Sequence, residues 1–149
     1  MIIEFMRVRD DARIPVRSNP SDAGLDVFSC TGEDVTLAPN QSLIVPTGLK
    51  FGIPHGYMLQ VMNRSSVAAK RGLVVGAHVI DSGYDGEVFI NLHNVSSENQ
   101  KIQNGMKIAQ LVMIPVVPFR PHEIRDDELY LQPITISNRG DGALGSTDG

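Results

Sequence analysis

The feature that most constrains this chain is a succession of short apolar or alternating runs separated by turn-forming residues. Seven runs are predicted strands: Ile2–Val8, Leu25–Cys30, Ser42–Pro46, Tyr57–Met62, Leu73–Val75, Glu87–Asn94 and Ile108–Val117. Turn chemistry such as Ala38-Pro39-Asn40 and Gln103-Asn104-Gly105 separates them. Fourteen glycines and nine prolines among 149 residues suit a fold of many short strands. The pattern predicts one all-β domain.

One segment has a helical pattern instead. We expect a helix over Ser65-Ser66-Val67-Ala68-Ala69-Lys70-Arg71 that ends at Gly72, with Asn63 or Ser65 as its N-cap. Lys70 and Arg71 in the last turn support this C-terminus, because cations interact favourably with the negative end of the helix dipole. So short a helix depends on tertiary contacts for its stability.

The C-terminal segment differs from the rest of the chain. We predict a β domain over residues 1–136 and a flexible glycine-rich arm over residues 137–149. Four of the last ten residues are glycines, and this segment has almost no apolar side chain to bury. Such a composition is typical of a disordered tail or of a flap that becomes ordered when a ligand binds, and composition alone favours the disordered tail.

Composition excludes several classes of protein. The single cysteine, Cys30, excludes an internal disulfide and a multi-cysteine zinc site. A net charge of −4 argues against a nucleic-acid partner. No apolar run approaches the roughly 20 residues that cross a membrane, and the N-terminus lacks the pattern of a secretory signal. We therefore expect no membrane association and a cytoplasmic protein, in the host cytoplasm if a virus encodes it.

Three groups of polar residues could perform chemistry. Arg64, Ser65 and Ser66 stand at the start of the predicted helix, where backbone N–H groups and a cation suit a phosphate. Alternatively, Ser65 could simply cap the helix while Arg64 pairs with an acid. Asp81 and Tyr84 lie in a predicted tight turn, where Asp81 could orient a water or only bond its own backbone. Asp26 at the start of a strand could form a turn or hold a magnesium ion through water.

The order of these segments is more specific than any one of them. Ala23-Gly24-Leu25-Asp26, Arg64-Ser65-Ser66, Val79-Ile80-Asp81-Ser82-Gly83-Tyr84-Asp85-Gly86, Gly105-Met106-Lys107-Ile108-Ala109-Gln110-Leu111 and the tail from Arg139 to Thr147 resemble, in order, the five motifs of the trimeric dUTPase family. The resemblance implies a single-domain, distorted jelly-roll or β-clip type barrel. It also implies a homotrimer with an exchanged C-terminal arm and active sites at the subunit interfaces.

The resemblance further implies that the chain hydrolyses dUTP to dUMP and pyrophosphate with Mg²⁺, which limits uracil in DNA and supplies dUMP for dTMP synthesis. Asp81 would activate the attacking water and hold the 3′-hydroxyl, while Tyr84 would select deoxyribose. Asp26 would hold the metal through water. The catalytic set implied is Asp81, Arg64, Ser65 and Gln110. The substrate-binding set implied is Arg64, Ser65, Ser66, His78, Val79, Ile80, Asp81, Tyr84, Phe89, Gln110, Arg139, Leu144, Gly145, Ser146 and Thr147.

The sequence departs from the family pattern at several positions. His78 stands where many members have glycine, Leu144 replaces the tail aromatic, and Lys107 replaces the usual arginine of the fourth motif. Three alternatives follow from the same motifs: a dCTP deaminase, a pyrophosphatase that also accepts dCTP, and a nucleotide-binding regulatory protein. Deamination is disfavoured because Asn91 occupies the position where that enzyme needs a glutamate.

Overall fold

The computed structural model describes residues 1–125 and residue 129. One compact unit spans Met1–Pro118. It contains eleven strands and one helix among the described residues. Their bounds are β1 Glu4–Arg7, β2 Leu25–Phe28, β3 Val35–Leu37, β4 Ser42–Pro46, β5 Leu49–Gly52, β6 Tyr57–Met62, α1 Ser65–Arg71, β7 Leu73–Val75, β8 Val79–Asp81, β9 Phe89–Asn94, β10 Gln100–Ile102 and β11 Lys107–Pro115.

The strands of the described residues form four antiparallel sheets. Two sheets are pairs, β1–β5 and β10–β3, one has the order β4–β9–β7, and the largest has the order β2–β11–β6–β8. These sheets do not join into one closed barrel within residues 1–125. The predicted all-β architecture with one short helix is confirmed.

The core is a single cluster of apolar side chains to which most strands contribute. Leu49, Leu73, Ile90 and Leu92 are fully buried at its centre. Alternate residues of β9 point inward, as the alternation in the sequence predicts for a strand with two different faces. Helix α1 adds Val67 to this cluster, so the core provides the tertiary contact that so short a helix needs.

The helix has the predicted bounds but not the predicted N-cap. Its C-cap, Gly72, adopts a left-handed conformation with φ +65°, which glycine accommodates at little cost. The N-cap is Arg64 in an extended conformation, and no side-chain cap bond forms there. The prediction of Asn63 or Ser65 was wrong, because Asn63 Oδ1 instead accepts a hydrogen bond of 2.9 Å from the backbone N–H of Val75.

Four strands were not expected from the sequence: Val35–Leu37, Leu49–Gly52, Val79–Asp81 and Gln100–Ile102. Val79–Asp81 matters most, since this segment was expected to be a turn. It pairs with β6 instead, with Asp81 opposite Met58 and Val79 opposite Gln60. The predicted boundary between residues 136 and 137 lies outside the described residues and stays a prediction. No helix in the described part is long and apolar enough to cross a bilayer.

Candidate functional site

Five of the predicted site residues line one polar cavity. This Arg64 cavity, of about 230 Å³, is lined by Ser18, Asn19, Asp22, Asp26, Arg64, Ser65, Ser66 and Gln110. Strands β2, β11 and β6 place them together, because Asp26 pairs with Gln110 and Gln110 pairs with Met62, two residues before Arg64. Segments 36 or more residues apart in the sequence thus meet on the largest sheet.

Arg64 is held in this cavity by Asp26. Its Nε–H donates to Asp26 Oδ1 at 2.9 Å, and both side chains are mostly buried. The other carboxylate oxygen, Oδ2, lies 3.3 Å from Lys107 Nζ and accepts from Ser18 Oγ at 3.2 Å. One carboxylate therefore bridges two cations. Arg64, Ser65 and Ser66 all line the cavity, and their N–H and hydroxyl groups form a donor set suited to phosphate oxygens.

Gln110 completes the donor set, and Gly24 makes room for it. Gln110 Nε2 donates to the carbonyl of Asn63 at 2.8 Å. A Cβ on Gly24 would lie 2.8 Å from Gln110 Oε1 and 2.9 Å from the carbonyl oxygen of Leu111. Only glycine fits between these atoms without displacement, which gives the Ala23-Gly24-Leu25-Asp26 motif a steric reason.

A second cavity contains the predicted base and sugar residues. This Asp81 cavity, of about 210 Å³, is lined by Val79, Ile80, Asp81, Tyr84, Glu87, Val88 and Phe89. It is formed by β8, the segment that joins β8 to β9, and the first residue of β9. It shares no lining residue with the Arg64 cavity. His78 is not among its lining residues; its Nδ1 lies 3.3 Å from the carbonyl oxygen of Val61 on β6.

Tyr84 is fixed over the turn by its own hydroxyl. Its O–H donates to the carbonyl of Glu87 at 2.7 Å, and its ring covers Gly86 so closely that a Cβ there would lie 2.5 Å from the hydroxyl oxygen. With the hydroxyl engaged, the ring remains 45% exposed and presents an apolar surface to the cavity. Such a surface suits packing against a sugar.

Two aspartates of this segment have different surroundings. Asp85 pairs with Lys50, and this hydrogen bond lowers the pKa of the Asp85 carboxyl. Asp81 is exposed and lines the cavity, whereas Asp85 does not. Glu87 also lines the cavity, but its carboxylate accepts from Arg9 Nε at 3.0 Å, so Asp81 is the lining carboxylate that is placed to accept a proton from a bound molecule.

The sequence reasoning missed Ser18, Asn19 and Asp22 in the Arg64 cavity. These residues belong to a tight turn in which the Asn19 N–H donates to Asp22 Oδ2 at 2.9 Å, while the Asp22 N–H donates to the Asn19 carbonyl at 3.0 Å. The Asn19-Pro20-Ser21-Asp22 composition would have indicated the turn but not its neighbours. Arg139, Leu144, Gly145, Ser146 and Thr147 lie outside the described residues.

The geometry has close counterparts among known proteins. Residues 10–147 match the dUTPase family model. The deoxyuridine 5′-triphosphate nucleotidohydrolase of Clostridium novyi (strain NT) is 36% identical over 143 residues, covering 95% of this chain and 94% of the relative. The enzyme of that name from Roseobacter denitrificans is 37% identical, covering 91% of this chain and 87% of the relative.

Solved structures agree with this match. A Staphylococcus bacteriophage 80alpha dUTPase mutant with dUpNHpp superposes with a TM-score of 0.80 at 28% identity, covering 97% of both chains. The dUTPase from phage phi11 of S. aureus superposes with a TM-score of 0.77 at 28% identity, covering 87% of this chain and all of that one. The fold and the two cavities define a β-rich nucleotidohydrolase of jelly-roll type. The chain belongs to the dUTPase family.

Proposed function

We propose that this chain hydrolyses dUTP to dUMP and pyrophosphate through attack of water on the α-phosphorus. The observation that carries this proposal is the Arg64 cavity, in which a fixed guanidinium, two hydroxyls and an amide converge. The relatives that match along more than nine-tenths of this chain are named for the same reaction.

In this proposal the Arg64 cavity receives the triphosphate. Arg64, Ser65, Ser66 and Gln110 bind the phosphate oxygens, and the guanidinium stabilises the charge that builds up on the bridging and leaving oxygens. A charge-assisted hydrogen bond contributes about 1.5–3 kcal/mol net. Loss of Arg64 is therefore expected to lower turnover by a factor of tens to hundreds.

The Asp81 cavity receives the nucleoside. Asp81 removes a proton from the attacking water and holds the 3′-hydroxyl of the sugar, while the Tyr84 ring packs where a 2′-hydroxyl would collide. The backbone along Val79 and Ile80, together with Phe89, surrounds the base. We include His78 in this binding set because it directly precedes Val79 in the same segment.

We infer that a nucleotide that occupies both cavities takes them from different copies of the chain. Asp81 pairs with Met58, and the Arg64 cavity begins beside Met62, four residues or about 13 Å further along β6. A general base acts at about 3 Å from the proton that it removes. This separation supports a homotrimer whose active sites lie between subunits, with the arm from residue 137 and its Arg139, Leu144, Gly145, Ser146 and Thr147 closing over the nucleotide.

The residues fit a magnesium ion that the substrate carries. Among the described residues no three acidic, histidine or cysteine side chains cluster as a complete metal cage. Mg²⁺ is commonly held by one or two carboxylates, waters and substrate phosphates, and Asp26 and Asp22 both line the Arg64 cavity. Asp26 would hold it through water, and the metal would neutralise charge on the triphosphate. A mutant dUTPase from phage phi11 is described as coordinating a structural Mg(II) ion.

The experiment that tests the proposal is pyrophosphate release from dUTP, dCTP, dTTP and UTP, with and without Mg²⁺. We expect release from dUTP that requires Mg²⁺ and much weaker release from the others. Release from dCTP would identify a broader pyrophosphatase, ammonia from dCTP would identify a deaminase, and tight dUTP binding without release would identify a binding protein. Each of these three results would replace the proposed function.

A further inference from the structure

Lys107 reaches Asp26 through an irregularity in β11. The pairing of β11 with β2 shifts between Lys107 and Ala109, so that Lys107 lies opposite Phe28 and Gln110 opposite Asp26. Ile108 and Ala109 are consecutive and both buried, as expected where a bulge interrupts the alternation of a strand. Residues directly opposite in a ladder share a face, so the bulge places Lys107 on the face of Asp26.

This placement gives the Asp26 carboxylate two different partners. Oδ1 accepts from Arg64 Nε at 2.9 Å, while Lys107 Nζ lies 3.3 Å from Oδ2 and donates to Ser18 Oγ at 3.1 Å. Ser18 in turn donates to Oδ2 at 3.2 Å. The Asp26 side chain is 13% exposed, so little solvent competes for its oxygens.

The contacts at Oδ2 decide how Asp26 binds Arg64. A carboxylate and a guanidinium prefer a two-pronged contact, which would occupy an Nη group as well as Nε. With Oδ2 held by Lys107 and Ser18, Asp26 contacts Arg64 through Nε. Among residues 1–125, the four Nη hydrogens of Arg64 are then left for a ligand.

We infer that Lys107 is a positioning residue: it holds Asp26 to a single contact with Arg64 and so keeps the Nη groups of Arg64 available to the triphosphate. The inference rests on the proposed function for the identity of the substrate. Lys107 is not among the residues that line the cavity, so it acts through Asp26 and not on the phosphates directly.

A double-mutant cycle tests this, with inorganic pyrophosphate binding to the full chain measured by calorimetry. Lys107→Gln should weaken pyrophosphate binding about tenfold or more, Lys107→Arg should restore it, and Lys101→Gln on the exposed part of β10 should leave it unchanged. In an Asp26→Asn background, Lys107→Gln should have little further effect, because its partner has already lost its charge.

Three results would overturn the inference. The first is an unchanged affinity in Lys107→Gln. The second is a full effect of Lys107→Gln in the Asp26→Asn background, which would place Lys107 directly on the phosphates. The third is a failure of Lys107→Arg to restore binding. If Lys107→Gln does not fold, Ser18→Ala replaces it in the same cycle, because it removes the other contact to Oδ2. Ser18→Ala should then weaken pyrophosphate binding in the chain that retains Asp26 and have little effect in the Asp26→Asn variant. Absence of dUTP hydrolysis by the wild type would refute the proposed function and leave this measurement interpretable.

Discussion

Asp81 and Arg64 lie at opposite ends of β6 in the same chain. Asp81 is paired with Met58 near the start of the strand, and Arg64 follows Met62 at its end. A single copy therefore presents Asp81 in one cavity and Arg64 in another. Under the proposed function, one nucleotide that uses both cavities bridges two copies.

Mixing two inactive variants should restore activity if the site is shared. Asp81→Asn and Arg64→Met subunits, unfolded and refolded together in equal amounts, assemble at random. A site then has one chance in two of an intact Arg64 cavity and one in two of an intact Asp81 cavity, so about a quarter of the sites are intact. Pyrophosphate release by the mixture should reach about a quarter of the wild-type rate.

The control for this mixture uses two changes in the same cavity. Asp81→Asn mixed with Tyr84→Ala should give no more than the mean of the two variants alone, because both residues line the Asp81 cavity of one copy. If the Asp81→Asn and Arg64→Met mixture also stayed at the mean after refolding, a site shared between copies would be refuted.

Asp81→Asn should separate binding from turnover. An asparagine retains the size and hydrogen-bonding capacity of the aspartate but cannot take a proton from water. We expect dUTP affinity by calorimetry to change little and turnover to fall by a factor of about 10²–10⁴. The matched control is Asp85→Asn, four residues away, which lies outside the cavity and pairs with Lys50; its turnover should be unchanged. Equal turnover in Asp81→Asn and the wild type would remove Asp81 as the base.

Gly76 is packed so tightly that a methyl group should destabilise the fold. A Cβ there would lie 2.2 Å from Asn91 Oδ1 and 2.3 Å from His93 Nε2, and these two atoms are themselves in contact at 2.7 Å. Gly76→Ala should therefore lower the free energy of unfolding by about 1–3 kcal/mol in urea. The control is Gly52→Ala, where the nearest atom is 3.8 Å away and a change within about 0.5 kcal/mol is expected. Equal stabilities for both variants would show that the Asn91–His93 pair moves aside freely.

The sequence predicted three elements of five or more residues, and one of three residues, with the bounds that the structure has. Strands Ser42–Pro46, Tyr57–Met62 and Leu73–Val75 and the helix Ser65–Arg71 have the predicted bounds. The unpredicted strands contain three or four residues, too few to show a period. Their strand conformation comes from partners distant in sequence, as when Gln100–Ile102 pairs with Val35–Leu37.

The division of the site into two cavities could not be predicted in the same way. Each motif identifies residues, but it does not give the register in which β6 pairs with β8 on one side and with β11 on the other. That register is what separates Asp81 from Arg64. The contact of Lys107 with Asp26 depends on a bulge, which leaves no trace in the apolar run of β11. Ser18 could not be predicted either, because it joins the site through a turn that contacts residues distant in sequence, such as Lys107.

Removal of residues 137–149 should impair catalysis more than folding. This segment is rich in glycine and poor in apolar residues, so its loss removes little burial. Under the proposed function it closes over the nucleotide and excludes water. We expect a chain ending at Ile136 to keep its melting temperature within a few degrees and to lose most dUTP turnover. A collapse of the melting temperature would instead identify a structural strap.

Cys30 should make stability fall at alkaline pH. Burial, with a hydrogen bond from the thiol to Asp11 at 3.2 Å, raises the pKa of Cys30 from 9.0 to about 11. Between these values the unfolded chain has lost the thiol proton while the folded chain keeps it, so the free energy of unfolding decreases as pH rises. The full difference corresponds to about 3 kcal/mol, present below pH 9 and lost by pH 11. Urea unfolding at pH 8 and pH 10.5 measures it, and Cys30→Ala supplies the background from lysines and tyrosines. An equal loss of stability in Cys30→Ala and the wild type would show that the thiol titrates alike in both states.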